Sequence, residues 1–240
     1  TLSDPHARHL ANKPCVRPRP GRAQKKHCRP APIVTECELN MSRSMIYRHV
    51  GLYRLVMTLL YHGRYRARFR QVCELIRPSD KKVLELCFGD VFVAEHCRKA
   101  GVVWTGLDSS GEFVASAVRR GFDARRADLL KAEALPACDL CVVMGSLYQF
   151  HAGLDALFAR MKAASSRLVI SEPVRNWTHA NALLRALARA FTRTDAQEET
   201  FRFTEASLRQ TLAALGERIG FTHRVVSVAR DMVVEVVWSK

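Results

Sequence analysis

Residues 83–96 read VLELCFGDVFVAEH, an apolar run that ends in an acid, passes a lone glycine and continues with helix-like spacing. A backbone that must lie against a nucleotide-bearing ligand needs a residue without Cβ, and Gly89 supplies one just past the run. The helix that follows offers unpaired N–H groups at its start. Glu85 stands near the carboxyl end of the run, placed to accept hydrogen bonds from a cationic or hydroxylated ligand. A single glycine between strand and helix is common, so its meaning depends on what lies downstream.

Downstream the chain alternates. Lys82–Leu86 is strand-like, Val91–Ala100 helical, Val102–Leu107 strand-like, Glu112–Arg120 helical and Ala124–Ala127 a short strand; Asp139–Met144 is a buried-strand run, Leu154–Ala164 helical and Arg167–Ser171 a strand. Strands separated by helices of this length predict βαβ units and a parallel sheet. Right-handed crossovers make the sheet doubly wound, with ligands outside the carboxyl ends of its strands. The tail differs. Thr204 predicts an N-cap for a helix to about Leu215. RVVSVARDMVVEVVWSK then reads as strands 224–229 and 233–238 about a turn at Arg230–Asp231, an antiparallel pair. The expected fold is α/β, a doubly wound, mostly parallel seven-stranded sheet with a terminal antiparallel hairpin.

Two further segments carry polar chemistry. In GLDSS (106–110), Asp108 ends the second strand 19 residues after Gly89. An acid there can take both hydroxyls of a ribose, and the alternative role is a helix N-cap. In RRADLL (125–130), Asp128 follows the third strand and can accept from an adenine amino group, while the backbone at Leu129 serves the ring; the alternative is a solvated loop acid.

Taken together, these residues resemble the class I S-adenosylmethionine-dependent methyltransferases over about residues 60–238. VLELCFGD is similar to that family's acid-x-Gly-x-Gly-x-Gly loop, carried onto Glu85, Cys87, Gly89 and Val91, with only Gly89 retained of the three glycines. The resemblance implies S-adenosyl-L-methionine as cofactor, with Glu85 on its amino group, Asp108 on the ribose and Asp128 on the adenine. Cys87, Gly89, Ser109, Leu129 and Gly145 complete the implied cofactor set. The antiparallel terminal hairpin matches this family's sheet. A nicotinamide dinucleotide is the competing ligand for such a fold, but it needs GxGxxG to seat a pyrophosphate on a helix N-terminus. Here Asp90 sits in the loop, and a carboxylate beside a pyrophosphate is repelled, whereas a sulfonium cation tolerates acids.

The fourth strand leads into MGSLYQFH (144–151), which in that family borders the transferred methyl. His151 is a candidate general base, since its ordinary pKa is about 6.5. Tyr148 is a candidate to stack on cofactor or substrate. Glu172 ends the fifth strand in SEPVRNW and needs a partner against the cost of desolvation, Arg175 or a substrate amine. Catalysis by positioning is expected for methyl transfer, an in-line displacement. No metal site is expected: Cys138 and Cys141, three apart at a strand, face opposite sides, and Cys15, His27, Cys28 and Cys37 do not match paired zinc spacing.

The 240 residues suit one α/β domain with decorations. Residues 1–40 carry eight Lys/Arg against three acids and form a Pro-rich basic tail expected to be disordered; Met41 is a candidate start of the native chain. Residues 41–78 are expected to be a helical lid, broken at Gly63, over a domain spanning 79–240 with a helical insertion at 177–203. The net charge of +15 attracts anions, and Arg64, Arg66, Arg68 and Arg70 with Tyr65 and Phe69 make weak peripheral contact with an anionic membrane a further expectation. Specific nucleic-acid binding is not expected, because the fourth strand ends in GSLY rather than asparagine-proline-proline-aromatic. Eight scattered cysteines fit reduced thiols, and no apolar stretch follows the basic N-terminus as in a secretory signal, so a cytoplasmic location is expected. The expected function is methyl transfer to O or N of a small-molecule acceptor. The alternative is a catalytically inactive methyltransferase-like module that binds a partner or an anionic membrane. Oligomeric state is not specified by these features.

Overall fold

A computed structural model describes residues 50–175 and 201–239 of the chain. The expectations for residues 1–49 and 176–200, including the basic tail and most of the helical insertion, lie outside the described residues.

The inner strands are short, apolar and rich in Val, Leu and Ile, as suits segments covered on both faces. β1 (Lys82–Leu86), β2 (Val103–Asp108), β3 (Asp123–Arg126), β4 (Leu140–Met144), β5 (Arg167–Pro173), β6 (Phe221–Val228) and β7 (Asp231–Trp238) form one seven-stranded sheet in the order β3-β2-β1-β4-β5-β7-β6. The first five strands are mutually parallel where they pair; β7 runs antiparallel to β5 and to β6. β4 is buried along its whole length, as expected for the middle of such a sheet. The terminal pair begins earlier than the pattern predicts. Phe221 extends β6 because its ring packs against Phe158 and Trp238, and the register slips once between Val225 and Ser227.

Helices cover both faces. On one side α1 (Val50–Leu60), α2 (Tyr65–Cys73), α3 (Phe92–Lys99) and α4 (Gly111–Arg119) bury Tyr65, Phe69, Val93 and Phe113 against Val83, Val142 and Val169. On the other, α5 (Leu154–Ala164) and α6 (Glu205–Ile219) bury Phe158, Met161, Leu208 and Leu212 against Leu84, Leu168 and Val234. α6 starts where Thr204 predicts: its hydroxyl accepts the Ser207 N–H, and the Ser207 hydroxyl accepts the Thr204 N–H, so two end donors are satisfied. Strand order reverses between β1 and β4, which puts the crevice of the fold at the loops after those strands. Among the described residues, no helix is long and apolar enough to cross a membrane.

Candidate active site

The loop after β1 turns sharply twice. Cys87 (φ +53°) and Gly89 (φ +56°) both adopt the left-handed region, which is costly for a residue with a Cβ. The fold holds Cys87 there by a 2.7 Å hydrogen bond from its N–H to the Leu107 carbonyl. At Gly89, a Cβ would stand 3.2 Å from the Tyr53 hydroxyl, so α1 lies directly over the glycine. Val91 and Phe88, the loop's bulky members, turn into the core. Asp90 is buried and accepts from Arg54 of α1 through both oxygens, at 2.8 Å from Nε and 2.6 Å from Nη2.

Asp108 joins the first two crossings. Its Oδ2 accepts the Gly89 N–H at 3.1 Å and its Oδ1 accepts the Ser110 N–H at 2.7 Å. The carboxylate thus faces the glycine loop, and its second bond reaches the N–H of Ser110, the residue before α4; α4 starts with no side-chain cap, so the N-cap role read as the alternative for Asp108 is not the one it takes. Ser109 is exposed beside it. Asp128 is exposed, accepts the Leu130 N–H at 3.0 Å and lies 3.6 Å from Lys131. Leu129 is buried and its carbonyl accepts from Arg160 at 2.7 Å.

Glu85 is fully buried. The Trp104 indole N–H donates to its Oε2 at 2.9 Å, and Oε1 has no hydrogen-bond partner. Burial pushes its carboxyl well above the usual range, the indole bond pulling the other way. Glu172 is also fully buried. Its partners are the N–H groups of Leu147 (3.0 Å) and Tyr148 (3.4 Å), which open a 3-10 segment, Leu147–Gly153. Backbone amides therefore supply the compensation that the sequence assigns to Arg175 or a substrate amine. Burial raises Glu172 to about 8 despite those amides. Asp108, Glu172 and Glu85 all stand close enough to Cys87 to add to the burial that keeps its thiol protonated.

Two expected residues lie elsewhere than at this crevice's buried floor. His151 is exposed; its ring stacks on Phe201 at 4.5 Å, with Nδ1 3.1 Å from the Tyr148 carbonyl. Tyr148 is half-buried, and one face of its ring carries the Arg202 guanidinium at 3.6 Å.

The arrangement also holds residues that the spacing of motifs did not single out. Arg68 of α2 is buried, with Nε 2.9 Å from Asp231 Oδ2 and its guanidinium 5.0 Å from the centre of the Tyr61 ring. The Tyr61 hydroxyl donates to Asp231 at 3.0 Å. Arg68 Nη2 lies 2.6 Å from where a Cβ on Gly145 (φ +63°) would be, so the guanidinium rests on the backbone after β4. A signal for Arg68 exists in the sequence: Tyr61, Tyr65, Arg68 and Val72 follow helical spacing on one face, while Arg64, Arg66 and Arg70 fall on the exposed one. Among the described residues, no cluster of His, Cys, Asp and Glu could hold a metal ion.

No known family's sequence pattern matches this chain, and no curated protein matches it in sequence. Solved structures do match in shape. The DhpI-SAM-HEP complex is 17% identical over 80% of this chain and 92% of its own, with a TM-score of 0.56. Human N-acetylserotonin methyltransferase, solved in complex with SAM, is 18% identical over 81% of this chain and 58% of its own, also at 0.56. The mitomycin 7-O-methyltransferase MmcR is 16% identical over 74% of this chain and 55% of its own, at 0.53. This chain therefore spans little more than half the length of the latter two. With the strand order, the antiparallel β7 and the crevice at β1 and β4, these likenesses establish that the chain has the Rossmann-like fold of the class I S-adenosylmethionine-dependent methyltransferases.

Proposed function

We propose that the protein is an S-adenosylmethionine-dependent methyltransferase acting on O or N of a small-molecule acceptor. The observation that carries this reading is the Asp108 carboxylate, buried at the tip of β2 and turned onto the Gly89 N–H. It places an acid beside a backbone with no Cβ, where a ribose diol fits. Glu85 Oε1, a buried acceptor with no partner, suits a ligand ammonium. Asp128 and the Leu129 backbone border the β3 side, suited to adenine; Ser109, Cys87 and Gly145 line the same loops.

The cofactor, when bound, supplies an electrophilic methyl on a sulfonium. The chain's own work is to hold acids around that cation and to exclude water. α1 serves the second purpose, with Tyr53 over Gly89 and the Arg54–Asp90 pair fastening it. Glu172, kept protonated near neutrality by burial, is fit to hold the 3-10 segment in place and to border the acceptor. His151, at the rim, is the proposed proton acceptor for an acidic hydroxyl or amine, with Tyr148 beside it. The likeness to small-molecule methyltransferases such as MmcR supports a small acceptor.

Calorimetry with S-adenosylhomocysteine tests the reading. One-to-one binding, weakened in Asp108→Asn, is expected. Folded protein that gives no heat refutes it, and binding without turnover on a broad panel of phenols, amines and acids favours the inactive module instead.

A further inference from the structure

α1 has two apolar faces. Val50, Tyr53, Met57 and Leu60 pack on the core. Leu52, Leu55, Val56 and Leu59 form a second stripe at helical spacing. Leu55 is 57% exposed and Leu59 58%, with Leu52 and Val56 half-buried beside them. A lone exposed leucine is ordinary, but these two stand one turn apart on the same side of one helix.

Charge decides what fits this face. Between Glu38 and Glu74 the chain holds seven arginines and no acid. Of these, Arg64, Arg66 and Arg70 are exposed in and just before α2, and none of the three pairs with a carboxylate among the described residues. Arg66 shares the Phe92 ring with Arg54 of α1, at 5.3 and 5.6 Å, which sets it beside that helix. Asp90, which reaches α1 from the glycine loop, is buried and closed by Arg54. The sequence-based expectation joined Tyr65, Arg68 and Phe69 to these arginines as a membrane-facing patch. The structure buries all three, so the apolar part of such a surface falls to α1. A second copy in a two-fold dimer would meet this face with the same face, arginine against arginine, with no acid to relieve the repulsion.

From this geometry we infer that α1 docks on the surface of an anionic lipid bilayer. Leu55 and Leu59 enter the boundary between headgroups and acyl chains, and Arg64, Arg66 and Arg70 meet the charged headgroups while their stems lie along the apolar surface. The apolar area is small, so docking is reversible and needs both parts. Tyr53 on the inner side of the same helix lies over Gly89, so the bilayer rests on the outer side of the element that covers the crevice.

Sedimentation of the full chain with vesicles tests this, using phosphatidylcholine alone and an equal mixture of phosphatidylcholine and phosphatidylglycerol. Binding to the mixture and not to the neutral vesicles is expected. Leu55→Gln with Leu59→Gln should weaken it about tenfold or more. Arg64→Gln, Arg66→Gln and Arg70→Gln combined should weaken it about a hundredfold. Both variants should melt near wild type, since the altered side chains are exposed, and should bind S-adenosylhomocysteine as wild type does. No binding to the anionic vesicles overturns the inference. Binding that the leucine pair leaves unchanged is adsorption by the net charge of +15 and overturns it too. So does a leucine pair that melts many degrees lower without vesicles, which means that the chain's own residues cover the stripe. A concentration-dependent dimer that the leucine pair dissolves, without vesicle binding, assigns the face to a second copy instead. None of these failures touches the methyltransferase reading, which stands or falls on S-adenosylhomocysteine binding.

Discussion

At the amino ends of the strands, Arg167 lies between two buried acids, with Nη2 2.5 Å from Asp80 and Nη1 bonded to Glu235. Glu235 is also held by Arg77 at 2.5 Å and Arg224 at 2.8 Å, and Asp80 accepts the Arg77 N–H. At the carboxyl ends, Arg68 Nη2, Glu85 Oε1 and the Ser171 hydroxyl are buried with no hydrogen-bond partner. Both poles of the sheet therefore bury charge, but only one closes its charges on each other. A network closed on itself fixes β5, β7 and the loop into β1. Groups left open near the crevice are where a ligand can complete the shell.

Breaking the closed pole has the largest expected effect. Arg167→Ala leaves the buried Asp80 with only the Arg77 N–H and takes one of three arginines from Glu235, and should cost about 3–5 kcal/mol, read by urea denaturation. Arg68→Gln removes a charge that is only half satisfied and should cost distinctly less; equal costs would erase the contrast between the poles. Next in size is Asp108→Asn, which removes a charged acceptor at the crevice. Loss of about 1.5–3 kcal/mol of S-adenosylhomocysteine affinity is expected, with little change in melting temperature. Gly145→Ala should destabilise by about 1–3 kcal/mol through its left-handed backbone and the approach to Arg68. A double-mutant cycle with Arg68→Gln should return a favourable coupling as the obstruction is relieved.

The open pole also has a pH signature. Glu172, with its folded value raised to about 8 from an ordinary 4.5, contributes stability that is complete below about 4.5 and is lost as pH rises through 8. The stability gap between wild type and Glu172→Gln should therefore move in favour of the variant across that window. Glu85 contributes in the same sense to both proteins and drops out of the difference. The smallest effect belongs to the exposed Arg218–Asp155 pair: Arg218→Ala should leave the melting temperature where it was.

The fold was legible because its inner strands are apolar runs, and because Gly89 and Thr204 punctuate the chain at places where backbone conformation or capping demands those residues. A doubly wound, mostly parallel sheet with a terminal antiparallel hairpin followed from the crossover rule and the short turn at Arg230, and the structure bears it out. The site was legible only where a side chain acts on its own loop, as Asp108 does. Glu172 was placed at the strand end, but its amide partners arise from a 3-10 turn 25 residues earlier in the chain, beyond the reach of local pattern. Arg68 and Asp231 meet across more than 160 positions of sequence, and Arg68 was read with its exposed neighbours as one basic run. Only helical spacing separates it from them. His151, chosen by type and position, stands at the surface against Phe201.

A crystal structure with S-adenosylhomocysteine tests the central claim most directly. The account predicts the nucleoside across the tips of β1 and β2, with ribose hydroxyls about 3 Å from the Asp108 carboxylate and Tyr53 displaced or repacked over Gly89. A ligand bound elsewhere, or an Asp108 carboxylate that gains no contact with the nucleoside at saturating ligand, would contradict it.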